Sequence, residues 1–196
     1  MDKKIYIKDI LKDDVLANLT KEAAKDSYGN FHDFEKRLPD YTHYHLAKFD
    51  DTNIAMAGMF QSKQWSSKFV RVLDRCYYFK IARSSTLSFL NEKDFKATAS
   101  TYFLPLHIKL ALEKDLIPFF SIAGIKRRPA MKRMIDRWNN SNDKKLILLP
   151  KMYFTCNHNV NDNTNEMCWQ NVAILNVKGY DDFNLPSREL IASNTR

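Results

Sequence analysis

The chain has 196 residues, of which 44% are hydrophobic and 13% aromatic, and its formal net charge is +8. This length and apolar content predict one folded domain over residues 1–196 and exclude an intrinsically disordered chain. The positive charge favours an anionic partner. The chain has only four glycines, which excludes glycine-rich phosphate loops of the P-loop and Rossmann types.

The cysteines and the N-terminal sequence indicate the cellular compartment. Three cysteines without tight spacing do not form a disulfide framework. The N-terminus lacks the apolar core of a signal peptide, and no apolar run reaches the roughly 20 residues that a membrane span requires. Cys156, His158 and Cys168 would be an incomplete zinc set, so no metal site is predicted. We therefore expect a soluble, cytoplasmic protein that does not bind a membrane.

Hydrophobic periodicity predicts the elements of the N-terminal half. A short strand begins at Ile5 and leads into a helix whose apolar positions run from Val15 to Ala23. A second short helix ends before Pro39. Three strands follow, at residues 44–49, 54–60 and 69–81.

The C-terminal half alternates helices and strands. The pattern predicts a helix from Ala97 to about Leu112, a buried strand at residues 117–123 and a helix from Pro129 to about Trp138. Residues 139–143 are polar and predict a loop. Two late strands are predicted at residues 146–156 and 168–177. The order of elements predicts an α+β domain with a mixed, mostly antiparallel sheet flanked by helices on both faces.

The start of the Ala97 helix is the strongest indication of a binding site. It consists of the small residues Ala97, Thr98, Ala99, Ser100 and Thr101. Small side chains allow a ligand to approach the backbone N–H groups of the first turn, where the helix dipole favours an anion. The later segment that begins with Lys126, Arg127 and Arg128 supplies cations. Together they indicate a phosphate-bearing ligand.

Two histidines on one strand are a second candidate. His43 and His45 share a strand face through their spacing of two residues. A neutral imidazole can act as a general base at cellular pH. Histidines on the surface of the strand are the favoured interpretation of the same pattern.

The segment Phe95-Lys96-Ala97-Thr98-Ala99-Ser100 lies where one family of similar topology has a (Gln/Arg)-x-x-Gly-x-(Gly/Ala) signature. In its order of elements the chain resembles the GCN5-related N-acetyltransferases, the GNAT superfamily. The resemblance implies acetyl-CoA or another acyl-CoA as cofactor, an amine as acceptor, and a cofactor site formed by Ala97, Thr98, Ala99, Ser100, Thr101, Arg127 and Arg128. Thr98 and Ser100 replace the glycines of the signature. Met134 stands where family members often have a tyrosine that acts as the general acid. Because methionine cannot protonate the departing thiolate, catalytic residues are not assigned.

Three alternatives remain open. Val70-Arg71-Val72-Leu73-Asp74-Arg75 resembles a strand of acyl-homoserine lactone synthases and related N-acyl amino acid synthases, which implies an acidic acyl carrier protein as partner. Two arginines on one face of a strand are the favoured interpretation of the same segment. The altered motifs fit a non-catalytic binding or structural protein with the same fold. A basic face between Lys126 and Arg137 would suit nucleic acid, although a solvated helix face is the favoured interpretation. The whole sequence is also similar to proteins of marine phages.

Overall fold

A computed structural model describes residues 5–10, 41–61, 68–79, 98–123, 128–149, 152–155 and 167–176. The predicted helices before Pro39 lie outside these residues. The chain forms two compact units, which we describe separately. The first unit comprises Met1–Phe60 and Val72–Leu110, and the second comprises Gln61–Arg71 and Ala111–Arg196.

The first unit is built on antiparallel strands. Strand β1 (Ile5–Asp9) pairs with β2 (Tyr41–Phe49), and β2 pairs with β3 (Thr52–Phe60). Asp50 takes a positive φ of 50° in the tight turn between β2 and β3, a conformation that aspartate tolerates better than most residues. The predicted strands at 44–49 and 54–60 are confirmed, and each begins earlier than its apolar pattern does.

Strand β4 (Phe69–Tyr78) continues this unit from Val72 onward and is hydrogen-bonded to β3. The strand ends at Tyr78, three residues before the predicted end. The core of the unit packs apolar strand residues against the helix that follows β4. Its buried members are Ile5, Ala47, Phe49, Ile54, Ala55, Ala57 and Phe103.

The predicted helix after β4 contains an unusual turn. Residues Ala99–Phe103 form a π-helical turn, and the regular helix α1 spans Leu104–Glu113. The N–H of Leu104 donates to the carbonyl oxygen of Ala99, five residues earlier. The prediction of a helix here is confirmed, but its turn at Ala99–Phe103 is wider than a turn of a regular α-helix. Single π turns of this kind occur frequently at functional sites.

The second unit contains a mixed sheet. The first residues of β4, Phe69–Arg71, pair in parallel with the start of strand β5 (Ile117–Ala123). Strand β8 (Met167–Leu175) runs antiparallel to β5. Strand β5 is thus a parallel neighbour of β4, paired with the beginning of β4.

Two short strands complete this unit. Strands β6 (Leu146–Leu148) and β7 (Met152–Thr155) both pair antiparallel with β8. The prediction of one continuous strand over residues 146–156 is therefore wrong. Between β6 and β7, the backbone N–H of Leu149 donates to the carbonyl oxygen of Val172.

Helix α2 spans Arg128–Ser141 and continues past the predicted end at Trp138. The predicted loop at residues 139–143 is wrong for its first three positions. Asn139 accepts from the N–H of Leu146 through Oδ1 at 2.7 Å and donates through Nδ2 to the carbonyl oxygen of Leu146 at 3.0 Å. Through these two hydrogen bonds Asn139 holds α2 to β6. Its polar side chain is satisfied by β6, so the helix continues through it.

The described strands form a mixed, mostly antiparallel sheet accompanied by two helices, as the sequence predicts. Neither described helix combines the length and apolar character needed to cross a membrane.

Candidate functional site

A buried pair of histidines is the most distinctive polar feature of the first unit. His45 comes from β2 and His107 from α1, and they have 4% and 0% of their surface exposed. Nδ1 of His45 lies 3.0 Å from Nε2 of His107. The expectation that His45 is a surface residue of its strand is therefore wrong. The strand spacing defined its face, but α1 covers that face.

One backbone hydrogen bond determines the tautomers of both rings. The N–H of Leu73 donates to Nδ1 of His107 at 3.2 Å, so this nitrogen carries no proton. A neutral His107 then holds its proton on Nε2 and donates it to Nδ1 of His45. A neutral His45 must in turn hold its own proton on Nε2. The hydrogen bonds thus all point the same way, from the Leu73 N–H to His107 and from His107 to His45.

The surroundings keep both rings neutral. Burial lowers the pKa of His45 to about 4; the nearby His43 lowers it further, whereas the carboxylate of Asp9 opposes the shift. Burial, with contributions from His45 and His43, holds the pKa of His107 well below its ordinary value. A low-dielectric site disfavours the charged imidazolium in each case. The pair is therefore uncharged at neutral pH, as its directed hydrogen bonds require.

The chain of rings continues toward the protein surface. The rings of His43 and His45 are stacked, with centroids 5.8 Å apart and planes inclined by 15°. Nδ1 of His43 lies 3.7 Å from Oδ2 of Asp9, and these side chains are 20% and 54% exposed. Asp9 is also the cross-strand partner of His45 in the register of β1 and β2. The polar cluster therefore runs from an exposed carboxylate to a fully buried imidazole.

We considered whether Asp9, His43 and His45 hold a metal ion. Each places one ligand atom within 4.8 Å of the others. However, Nδ1 of His45 accepts a hydrogen bond from Nε2–H of His107. The other nitrogen of the neutral His45 ring therefore carries a proton and has no lone pair for a metal. Histidine ligands normally donate their second N–H to an acceptor, which is the opposite polarity. The polarity of these hydrogen bonds therefore disfavours His45 as a metal ligand.

Leu73 is a strained residue inside β4. Its φ is 54°, a value that is a genuine outlier for a bulky side chain within a strand. Among the described residues, the other non-glycine positions with positive φ are Asp50 and Asp115, which lie in turns. A left-handed residue in a strand redirects the backbone, as in a β-bulge, and such strain concentrates at functional sites. The N–H of Leu73 is the one held by His107.

The structure describes most of the predicted anion site at the helix start. Thr98 is fully buried, Ser100 is half-buried and Thr101 is exposed. The N–H of Ala99 donates to the hydroxyl oxygen of Tyr78 at 3.1 Å, so the protein itself satisfies one donor of the first turn. Burial raises the pKa of Tyr78, and the Cys76 thiol adds to this effect. Tyr78 is therefore a neutral phenol. Ala97 lies outside the described residues.

Arg128 has partners within the second unit. Its Nη1 donates to Oδ1 of Asn171 at 3.3 Å, and its Nη2 donates to the carbonyl oxygen of Leu149 at 3.2 Å. Asn171 is buried and donates to the carbonyl oxygen of Ile122. These bonds join the start of α2 to strands β5 and β8. Arg127 lies outside the described residues, as do the side chains of the suggested zinc ligands Cys156, His158 and Cys168.

The fold resembles that of solved acetyltransferases over most of the chain. It matches an IAA acetyltransferase from Bacillus cereus with a TM-score of 0.58 and 7% identity, covering 89% of this chain and 100% of that one. A GNAT family acetyltransferase from Elizabethkingia anophelis, solved with acetyl-CoA bound, matches with a TM-score of 0.58 and 9% identity over 90% and 100% of the two chains. An acetyltransferase from Bacillus subtilis, solved in complex with CoA, matches with a TM-score of 0.57 and 7% identity, covering 89% of this chain and 99% of that one.

The chain has the fold of the GNAT acetyltransferases. No protein-family model matches it, and no curated protein matches its sequence. The predicted resemblance is thus confirmed at the level of the fold. The named structures come from bacteria, so the similarity to phage proteins stays a prediction.

Sequence reasoning missed His107, Leu73 and Tyr78. His107 lies in an apolar helix pattern, 62 residues from its partner His45. Its spacing would have placed it on the buried side of α1, between Leu104 and Ala111. A histidine at a core position needs a polar partner, and this rule was the available signal. Nothing in the sequence marks the backbone conformation of Leu73.

Proposed function

We propose that this protein is an acyl-CoA-dependent N-acyltransferase that transfers an acetyl or other acyl group to an amine. The observation that carries the proposal is the likeness of its fold to acetyltransferases over about nine-tenths of the chain, including one with acetyl-CoA bound. Because fold alone does not establish a reaction, the proposal also draws on the helix start and on Leu73.

The helix start would bind the pyrophosphate of the cofactor. Small side chains from Ala97 to Thr101 leave room for phosphate oxygens close to the backbone, and N–H groups of a first turn suit an anion. A contribution of Arg127 and Arg128 to phosphate binding stays a prediction, and Arg128 is bonded to Asn171 and to the backbone of Leu149 within the second unit.

Leu73 would supply the group that polarises the thioester. Its left-handed conformation turns a backbone N–H out of the regular strand pattern, where it can donate to a carbonyl oxygen as negative charge develops. The remaining catalysis would come from holding thioester and amine together, which converts a bimolecular step into an effectively unimolecular one. The Leu73 N–H would pass from His107 to the ligand during this binding.

Tyr78 favours a second candidate function, a non-catalytic protein with the same fold. Its hydroxyl already accepts from the N–H of Ala99, so the helix start is partly satisfied without a cofactor. Met134 on α2 cannot protonate a departing thiolate, which fits the same candidate. The two functions differ in one observable property, the binding of CoA.

Thermal-shift and calorimetric titrations with acetyl-CoA, free CoA and longer acyl-CoAs test the proposal. A ligand at 100 times its dissociation constant should stabilise the fold by about 2.7 kcal/mol. Ser100→Leu should abolish this shift by filling the pyrophosphate position. Ser141→Leu at the exposed end of α2 is the matched control and should retain it. Absence of binding to every CoA species would reject the acyltransferase and favour the non-catalytic function.

A second variant addresses Tyr78 directly. Tyr78→Phe removes the acceptor of the Ala99 N–H and so returns that donor to the helix start. Acyl-CoA should bind more tightly to this variant if phosphate competes with the phenol for the N–H. Unchanged affinity, together with normal binding by the original protein, would place the phosphate away from Ala99.

A further inference from the structure

We propose that His107, His45, His43 and Asp9 form a proton relay that removes a proton from the acceptor amine and delivers it to solvent. The proposal rests on the proposed acyltransferase function and assigns the catalytic base of that reaction. All four residues and Leu73 belong to the first unit. His107 is the residue that would contact the reacting amine, and the other three transmit the proton.

The direction of the hydrogen bonds defines the direction of transfer. A proton arriving at Nδ1 of His107 allows its Nε2 proton to pass to Nδ1 of His45, 3.0 Å away. His45 then releases its own Nε2 proton toward His43 and Asp9; one nitrogen of His45 and one ligand atom of each of these two residues lie within 4.8 Å of one another. Such a distance is one that a bridging water can span. The relay therefore accepts protons at its buried end and releases them at its exposed end.

Leu73 would couple the relay to cofactor binding. Without ligand, the Leu73 N–H occupies the lone pair of His107 Nδ1. When the thioester oxygen accepts this N–H, the lone pair of Nδ1 becomes available as a base. The same bond thus blocks the base in the absence of substrate and releases it when the carbonyl is polarised.

The relay also avoids leaving a charge in the core. A lone buried imidazolium is unfavourable, which is why burial lowers the pKa of both rings. In a concerted shift each ring gives up one proton as it gains another, so each begins and ends neutral. The proton leaves the relay at its outer end, where the side chains of Asp9 and His43 are 54% and 20% exposed.

The atoms of the reaction balance as follows. A bound ammonium gives one proton to His107, and one proton leaves the relay at Asp9 for solvent. The resulting amine attacks the thioester carbon, the N–C bond forms and the C–S bond breaks. The CoA sulfur takes the second proton of the acylated nitrogen. The relay resets when His107 releases its Nδ1 proton to water and one solvent proton enters at Asp9. Overall, ammonium and acyl-CoA give amide, CoA thiol and one proton.

Two acyl acceptors that differ in protonation separate the proton-transfer role of His107 from a structural role. With acetyl-CoA as donor, n-butylamine is a cation at pH 7 and needs deprotonation, whereas hydroxylamine is already neutral. His107→Asn is the informative variant, because an amide oxygen can still accept the Leu73 N–H but an amide cannot relay a proton. Lys109→Asn, at an exposed position of the same helix, controls for asparagine in α1.

We expect His107→Asn to lower kcat with n-butylamine by about 10²-fold, the lower range for general acid–base catalysis. With hydroxylamine, after subtraction of the uncatalysed reaction, kcat should change less than about threefold by the same reasoning. Lys109→Asn should change neither rate. Equal losses with both acceptors would assign His107 a structural role and overturn the relay, as would full activity of His107→Asn.

Variants at the exposed end test the relay without disturbing the core. His43→Gln and Asp9→Asn should each slow n-butylamine transfer selectively, while acetyl-CoA affinity and hydroxylamine transfer remain unchanged. These two variants test the relay even if the His107→Asn variant does not fold. Unaltered n-butylamine transfer in both variants would overturn the proposed path to solvent.

Acetyl-CoA binding and histidine NMR distinguish failure of the relay from failure of the proposed function. If the original protein binds no acetyl-CoA, both fall; if it binds and transfers but the variants show no acceptor dependence, only the relay falls. Nitrogen-15 spectra of labelled histidine should show His45 and His107 as neutral Nε2–H tautomers at pH 7. An Nδ1–H tautomer for either ring, or Zn²⁺-induced shifts that disappear in His43→Gln, would also overturn the relay.

Discussion

In the first unit, two histidines from distant elements meet in the core, whereas in the second unit the cations of α2 lie mainly on an exposed face. Lys132, Arg133 and Arg137 are exposed, and Arg128 is half-buried with two partners. The run of cations is the more conspicuous pattern in the sequence. The buried pair is the more informative one in the structure, because a polar group removed from water must find a specific partner.

The comparison predicts that replacing His107 has the largest effect on stability. His107→Ala leaves a cavity and deprives the Leu73 N–H and Nδ1 of His45 of their partner. We expect a loss of about 2–5 kcal/mol of unfolding free energy, the range for large-to-small changes in a core. Urea denaturation measures it, with Lys109→Ala on the exposed side of α1 as the control. A loss below about 1 kcal/mol, within the usual range of point mutations, would mean that the buried pair is not essential to the first unit.

The second prediction concerns acid. The pKa of His45 falls from 6.5 to about 4 on folding, so below pH 6.5 the unfolded chain binds more protons than the folded one. The contribution of His45 is therefore complete above pH 6.5 and is lost as the pH falls toward 4, by about 3 kcal/mol at 1.4 kcal/mol per pKa unit. The burial of His107 acts in the same direction.

Urea denaturation between pH 7 and pH 4 measures this dependence. His45→Gln should make the curve shallower across the window, because glutamine does not titrate and only the contribution of His107 remains. Lys132→Gln on α2 should leave its shape unchanged. A wild-type stability that does not change between pH 6.5 and 4 would contradict the neutral buried pair.

The third and smallest effect is expected in the second unit. Arg128→Met removes the bonds to Asn171 and to the backbone of Leu149, and should cost about 1–3 kcal/mol, the range for hydrogen bonds of charged groups. Arg133→Met, at an exposed position of the same helix, should stay within about 0.5 kcal/mol of the original protein. Equal effects of the two variants would show that α2 gains nothing specific from Arg128.

Much of the fold follows from local patterns in the sequence. The alternating and buried apolar runs placed most of the described strands within a few residues and β5 at its observed bounds, but they joined β6 and β7 into one strand. Another error occurred where a polar residue was assumed to end an element. Asn139 continues α2 because β6 offers both a donor and an acceptor to its amide group. That partner comes from seven residues further along the chain and is invisible to a local pattern.

The candidate sites divide in the same way. The small residues from Thr98 to Thr101 and the shared face of His43 and His45 were visible from spacing. The involvement of His107, the strained Leu73 and the contact of Tyr78 with Ala99 were not, because each depends on residues at least 21 positions apart.

By itself, the sequence determined the helices and strands that hydrophobic periodicity encodes, and from their order the GNAT-like α+β fold. Tertiary structure alone decided which polar groups are buried, which tautomer each histidine adopts and which backbone N–H the pair holds. The physical reason is the range of the interactions. Periodicity is set by neighbours along the chain, whereas burial and hydrogen-bond direction depend on elements brought together only when β2, β4 and α1 pack in the folded protein.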